Sequence, residues 1–151
     1  MTEIFFYHLG CSTLDKVLPI LLQKTMIKGK RALVVVDCEA NVEQLSHHLW
    51  TYKTDSWLPH GTITGNCAGS QPILIGKEDN NLNRAEFIFL TQGSTSNNIA
   101  SFERCFEIIN GNDKEAIMVA HEKWESYKAE GHTLSYWKET DSGSWVDGDI
   151  R

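Results

Sequence analysis

An uninterrupted apolar run at residues 32–36, Ala-Leu-Val-Val-Val, is the feature that most constrains what this chain can fold into. β-branched residues favour strands, and a strand that is apolar on both faces must be covered on both. Strands of that kind belong to parallel sheets, whose crossover connections carry helices. We therefore expect a central strand over residues 31–37, with helices above and below the sheet.

Further strands and helices alternate with this one along the chain. Apolar or aromatic runs ended by turn residues predict strands over residues 3–9, 72–76, 86–92 and 132–138. Apolar residues at helical spacing predict helices over residues 12–28, 39–52, 98–110 and 113–130. Pro19 should kink the first helix or displace its start, and Gly111 should separate the last two. Residues 53–70 are expected to be irregular.

This alternation predicts an α/β fold: a single Rossmann-like domain with a mostly parallel sheet and helices on both faces. The chain of 151 residues is long enough for one domain with a core of its own. We place that domain at residues 1–138. Residues 139–151, with four acidic residues and one basic residue, are expected to form a loose acidic C-terminal tail, apart from Trp145.

Charge and hydropathy exclude several classes of function. The net charge is −6, and no basic stripe for the phosphate backbone is evident, so any contact with DNA is expected to run through another protein. The first residues lack a basic region and a cleavage site, and the longest apolar run is too short to span a membrane. A cytoplasmic protein without a membrane partner is expected.

Catalytic and metal-binding motifs are not evident either. The cysteines at positions 11, 38, 67 and 105 form no closely spaced pair, and no phosphate-binding glycine motif follows the first strand. We expect no metal, no cofactor and no catalytic residue. The alternative from the enzyme class is a small nucleotide-binding or transferase domain that uses the strand ends at residues 10–12 and Asp37. Cys11 as a nucleophile would need a base that the sequence does not supply.

Two segments carry the side chains of a protein-binding surface. In the first, Trp50, Trp57 and Pro59 offer a large apolar area at and after a helix end, which suits either an interface or a loop that caps the core. In the second, the helix over residues 113–130, Ile117 and Trp124 lie on one arc with His121 and Lys128 at its edge. That arrangement suits an acidic peptide that ends in an aromatic residue, although a core helix with a basic rim would look the same.

These segments belong to a set of blocks that follow one another in order over residues 4–138. The blocks are Phe5-Phe6-Tyr7-His8-Leu9, Gly29-Lys30-Arg31-Ala32-Leu33-Val34-Val35, Leu49-Trp50, Trp57-Leu58-Pro59-His60-Gly61, Gln71-Pro72-Ile73, Phe102-Glu103-Arg104, Ala120-His121-Glu122-Lys123-Trp124 and Tyr127-Lys128-Ala129-Glu130-Gly131-His132-Thr133-Leu134. Together, in this order and spacing, they resemble the chi subunit of bacterial DNA polymerase III.

The resemblance implies a non-catalytic accessory subunit that links the clamp loader to the acidic tail of single-stranded-DNA-binding protein. The tail would dock on Ile117, His121, Trp124 and Lys128. The psi subunit or clamp loader would contact Trp50, Trp57 and Pro59, and a helicase outside the replisome is a further candidate partner for that tryptophan surface.

Two residues depart from the pattern of the resembled family. Glu125 stands where well-studied relatives have lysine, and His121 where they often have arginine. A carboxylate beside the docking groove repels an acidic tail, by about 1 kcal/mol for an exposed pair. We therefore predict weaker tail binding than in relatives with a basic groove, and binding that tightens as the pH falls.

Overall fold

The computed structural model describes residues 2–10, 13–51, 60–62, 72–77, 84–91, 94, 96, 99–140, 142 and 145–147. The side chains of residues 15, 39, 50, 51, 60–62 and 147 lie outside that description. The statements below concern these described residues.

One sheet of eight strands organises the chain, with the strand order β3-β4-β2-β5-β6-β1-β7-β8. Every neighbouring pair is parallel except β7 and β8, which run antiparallel. The strands are β1 (Glu3–Leu9), β2 (Ala32–Val35), β3 (His60–Thr62), β4 (Ile73–Gly76), β5 (Phe87–Leu90), β6 (Arg104–Asn110), β7 (Thr133–Glu139) and β8 (Trp145–Asp147). The predicted α/β fold with a mostly parallel sheet is confirmed.

Among the described residues, three helices cover the two faces of this sheet, as the apolar run at residues 32–36 requires. They are α1 (Leu14–Ile27), α2 (Glu39–Thr51) and α3 (Lys114–Ala129). Helix α1 continues through Pro19, so this proline does not displace the helix start, which lies at Leu14 after the N-cap residue Thr13.

Alternate residues of the strands pack into two separate hydrophobic cores, one on each face of the sheet. Val34, Phe89 and Phe106 belong to the core under α1 and α2, whereas Phe6, Leu33 and Ile88 belong to the core under α3. Successive side chains of a strand point to opposite faces, so each central strand contributes to both cores. Helices α1 and α3 therefore lie on opposite sides of the sheet.

The helix predicted over residues 98–110 is wrong. Residues 104–110 form strand β6, preceded by a short 3₁₀ turn at Ile99–Ser101. Strand β6 pairs with β1 on one side and β5 on the other, and Phe106 stacks on Phe89 with 4.5 Å between the ring centroids. Pairing on both edges and burial on both faces outweigh the helical spacing of the apolar residues.

Two further predictions are corrected at the edges of the sheet. Residues 60–62, expected to be irregular, form β3 beside β4. In the segment expected to be a loose tail, residues 145–147 pair with β7, and the Trp145 ring packs edge-on against Tyr7 at 5.4 Å. The division of the chain at residues 138 and 139 stays a prediction.

The contact between β1 and β7 makes stability depend on pH through His8. The Nδ1 atom of His8 is hydrogen-bonded to the Tyr136 hydroxyl, and burial, followed by the nearby Lys138 charge, lowers the pKa of His8 below 6.5. A lowered folded-state pKa means that the unfolded chain takes up the proton first as the pH falls. The contribution of neutral His8 to the free energy of unfolding is therefore present above about pH 6.5 and is lost as the pH drops below it.

We expect His8→Asn to flatten the decrease in stability between pH 7 and pH 5. Urea unfolding followed by circular dichroism at several pH values measures it. His47→Asn, at an exposed position of α2, is the matched control and should retain the decrease. An unchanged pH profile in His8→Asn would contradict the assignment.

Candidate protein-binding surfaces

The start of α3 is fixed by a tight approach to β1. The Gly111 N–H donates to the Leu9 carbonyl oxygen at 2.9 Å, and a β-carbon at residue 111 would overlap that oxygen and the His8 ring. Asp113 then caps the helix, because its side chain accepts a hydrogen bond of 3.0 Å from the Glu115 N–H. These contacts set the rotation of α3 on the sheet and thereby select the side chains that reach solvent.

Trp124 lies at the boundary between the core and the surface of α3. Its ring meets Phe6 and Tyr136 edge-on, with centroid distances of 5.4 and 6.1 Å. The side chain is partly buried rather than enclosed. The core therefore holds the indole in one orientation while part of it stays accessible to a visiting group.

The structure places the four predicted tail-binding residues along one flank of α3. Ile117, His121, Trp124 and Lys128 follow one another at steps of four, three and four residues, which lines them up on a helix over about 16 Å. Ile117 and His121 are partly buried and Lys128 is exposed. We call these four residues the α3 flank.

The charge beside the α3 flank is not positive. Glu122 and Glu125 are exposed on the same helix, as is Glu115 in its first turn. Lys128, in the last turn, is the exposed cation of the flank itself. The helix thus presents an aromatic edge with an exposed lysine near each end, Lys114 and Lys128, and exposed carboxylates between them.

Lys123 is directed inward and does not add to that surface. Its Nζ donates to the Ser94 carbonyl oxygen at 2.6 Å and to Glu107 Oε1 at 3.1 Å. Tyr127 donates its hydroxyl to Glu107 Oε2 at 2.7 Å. We call Glu107, Lys123 and Tyr127 the buried triad. Sequence reasoning missed it because Glu107 lies in the segment expected to be a helix.

Burial dominates the protonation of the buried triad. It raises the pKa of Glu107 above 4.5, although the Lys123 charge and the hydrogen bond from Tyr127 act in the opposite direction. Burial and the Glu107 charge raise the pKa of Tyr127, so this hydroxyl keeps its proton. The triad joins α3 to β6 and to Ser94, which follows β5.

A cavity of about 650 Å³ opens at the carboxyl ends of β1, β5 and β6. This is where ligands bind in open α/β sheets, so the cavity bears on the nucleotide-binding alternative. Lys123 is the one cation among its described lining residues, and it is already bound to Glu107. Asp113 and Glu115 are acidic neighbours at the mouth, where a phosphate would need donors. The described lining therefore does not suit a nucleotide phosphate.

Comparison with known proteins shows which family the chain belongs to. The sequence model of the family described as DNA polymerase III chi subunit, HolC, matches residues 1–135. The chain belongs to this family. The resemblance drawn from the sequence blocks is confirmed, and it covers every strand and helix from β1 to α3. Chi is an accessory subunit of DNA polymerase III in DNA replication and is not itself catalytic.

A curated relative supports the same family at low identity. The chain is 26% identical over 90 residues to the probable DNA polymerase III subunit chi of Rickettsia prowazekii (strain Madrid E). The match covers 60% of this chain and 54% of that protein, so the chain spans about half the length of this chi relative.

The second predicted surface lies mostly outside the described residues. Trp57 and Pro59 are not described, and Trp50 lies in the last turn of α2 with its side chain outside the description. Cys11, the nucleophile of the enzyme alternative, is not described either. The psi-binding residues of this chi family member stay a prediction.

Metal sites and membrane-spanning helices are both absent from the described residues. No cluster of three metal-ligating side chains occurs among them. No helix in the part of the chain that the structure covers has the length and hydropathy to cross a membrane. Cys105 is buried and Cys38 exposed, both as free thiols.

Proposed function

We propose that this chain is a cytoplasmic adaptor that links the clamp loader of DNA polymerase III to the acidic C-terminal tail of single-stranded-DNA-binding protein. Membership of the chi family supports a role in the polymerase assembly. The observation that carries the tail-binding part is the position of Trp124, held by Phe6 and Tyr136 yet partly accessible on the α3 flank.

Recognition would combine one apolar contact with one ion pair. The exposed part of the Trp124 indole and Ile117 would receive the terminal aromatic side chain of the tail. Lys128 would meet a carboxylate of the tail, and His121 would contact the tail one turn of the helix away. Glu125 would oppose the acidic residues, so the affinity would be modest at neutral pH.

The other end of the link rests on Trp50, Trp57 and Pro59. We propose that these residues contact the psi subunit or the clamp loader, as the family resemblance implies. A helicase that binds the same tryptophan surface is the alternative partner. Co-purification with each candidate, wild type against Trp50→Ala, separates them.

Binding of the tail peptide tests the α3 flank. We expect Trp124→Ala to weaken binding about tenfold or more, because a central aromatic contact carries a large share of a small interface. Glu125→Lys should tighten binding, because it replaces a carboxylate beside the α3 flank with a cation. Fluorescence anisotropy with the labelled tail peptide measures each affinity.

Matched variants keep this test specific. Lys128→Glu should weaken binding, whereas Lys114→Glu makes the same charge change at the far end of α3 and should weaken it much less. Trp124→Phe should retain most of the affinity and controls for folding. Equal affinities for wild type and Trp124→Ala would overturn the α3 flank as the docking site.

A further inference from the structure

A second surface lies on the outer face of α1, on the opposite side of the sheet from the α3 flank. Lys16, Ile20, Lys24 and Ile27 follow one another at steps of four, four and three residues, so they share one face of the helix. All four side chains are exposed, and Lys28 continues the row at the helix end. We call these five residues the α1 stripe.

The exposed isoleucines are unusual in this position. Ile20 is 45% exposed and Ile27 is 84% exposed, although the inner face of α1 already supplies Leu18 and Leu22 to the core. Because the two isoleucines are seven residues apart, they lie about 10 Å from each other along the helix. They can therefore act as two separate apolar contacts for one bound segment.

The charge of the α1 stripe contrasts with that of the rest of the molecule. Residues 16–28 contain three lysines and no acidic residue, in a chain of net charge −6. None of these lysines has an ion-pair partner among the described side chains, whereas the neighbouring Lys30 is bound to Glu103 at 3.1 Å. Three exposed lysines therefore alternate with two exposed apolar side chains.

We propose that the α1 stripe docks an acidic peptide segment of a partner protein that carries two apolar side chains about 10 Å apart. Carboxylates of the segment complement Lys16, Lys24 and Lys28, while its apolar side chains cover Ile20 and Ile27. The proposal is independent of tail binding at the α3 flank.

Other occupants fit this surface less well. In a symmetric dimer, two α1 stripes facing each other would oppose lysine to lysine. If the α1 stripe of one molecule bound the acidic face of α3 on another, the molecules would form an open chain, because the two helices lie on opposite sides of the sheet. Nucleic acid would satisfy the lysines but would leave Ile20 and Ile27 against phosphates.

A designed peptide provides the test. The probe is a fluorescein-labelled helical peptide rich in glutamate, with two leucines seven positions apart, titrated with the full chain at low salt. We expect Lys16→Glu/Lys24→Glu to weaken binding at least tenfold. Lys77→Glu/Lys138→Glu makes the same charge change at exposed lysines elsewhere and should change the affinity less than threefold.

Further arms separate the apolar contacts from charge alone. Ile20→Ser/Ile27→Ser should weaken binding of the leucine peptide but not of a peptide with serine in place of leucine, and Trp124→Ala should leave both unchanged. The proposal is overturned if wild type does not bind the leucine peptide, if both lysine pairs weaken binding equally, or if a labelled oligothymidine binds the α1 stripe more tightly than the peptide. Loss of leucine-peptide binding in Trp124→Ala would overturn it as well, since the α3 flank would then be the site.

Discussion

Lys123→Met should destabilise the fold by about 3–5 kcal/mol, because it removes the cation that faces a buried carboxylate. Glu107 is 4% exposed and, without Lys123, would keep the Tyr127 hydroxyl as its remaining partner in the buried triad. The Ser94 carbonyl oxygen would lose its donor as well. Urea unfolding followed by circular dichroism at pH 8 measures the free energy.

The pH dependence of this variant identifies Glu107 as the cause. Burial already raises the Glu107 pKa above 4.5, and loss of Lys123 removes the largest opposing effect. A carboxyl group with a raised folded-state pKa stabilises the fold at low pH and loses that stabilisation as the pH rises above 4.5. The deficit of Lys123→Met should therefore shrink as the pH is lowered toward 5.

Two controls accompany the measurement. Lys123→Met/Glu107→Gln leaves no charge in the buried triad and should recover at least half of the loss. Lys128→Met removes an exposed lysine from the same helix and should cost less than about 0.5 kcal/mol. A loss of stability in Lys128→Met as large as that in Lys123→Met would show that the ion pair is not the cause.

Phe6→Ala should cost about 3–5 kcal/mol and should also weaken the α3 flank, because one ring supports both the core and Trp124. Phe6 is fully buried, and its centroid lies 5.4 Å from Trp124, 6.1 Å from Tyr127 and 6.2 Å from Tyr136. Its removal leaves a cavity beneath the indole. Thermal unfolding and the affinity for the tail peptide report the two effects separately.

The neighbouring residue supplies a control on the other face of the sheet. Phe5 is partly buried against the core under α1 and α2. Phe5→Ala should cost less stability than Phe6→Ala and should leave tail-peptide affinity unchanged. Phe6→Leu, which keeps most of the buried volume, serves if Phe6→Ala does not fold. An unchanged affinity for the tail peptide in both Phe6 variants would show that Phe6 does not support the α3 flank.

Much of the architecture could be predicted from the sequence because apolar strands and amphipathic helices differ in period. The run at residues 32–36 required a sheet covered on both faces, and α1, α2 and α3 supply that cover. The prediction failed at β6, because Phe102, just before the strand, and Phe106 and Ile109 within it have helical spacing. Only its pairing with β1, about a hundred positions away in the chain, and with the nearer strand β5 decides that segment.

The candidate sites were predictable to different degrees. The spacing of Ile117, His121, Trp124 and Lys128 placed them on one flank of a helix, as the structure has them. The inward direction of Lys123 was not predictable, since it depends on Glu107, which lies in a strand that was predicted to be a helix. The α1 stripe was not predicted, because Lys16, Lys24 and Lys28 are separated along the sequence and do not form a charge run. The helix brings them into one row.

Strand β8 has a consequence for how molecules behave at high concentration. A sheet that ended at β7 would present a row of free N–H and C=O groups, to which a strand of another molecule could add. Residues 145–147 pair with Trp137, Lys138 and Glu139 and so occupy the carboxyl half of that row. The edge of the sheet is then a strand of three residues beside the seven of β7, and so short an edge offers little for another strand to pair with. Trimming the chain before Trp145 should therefore make the protein more prone to aggregate strand by strand.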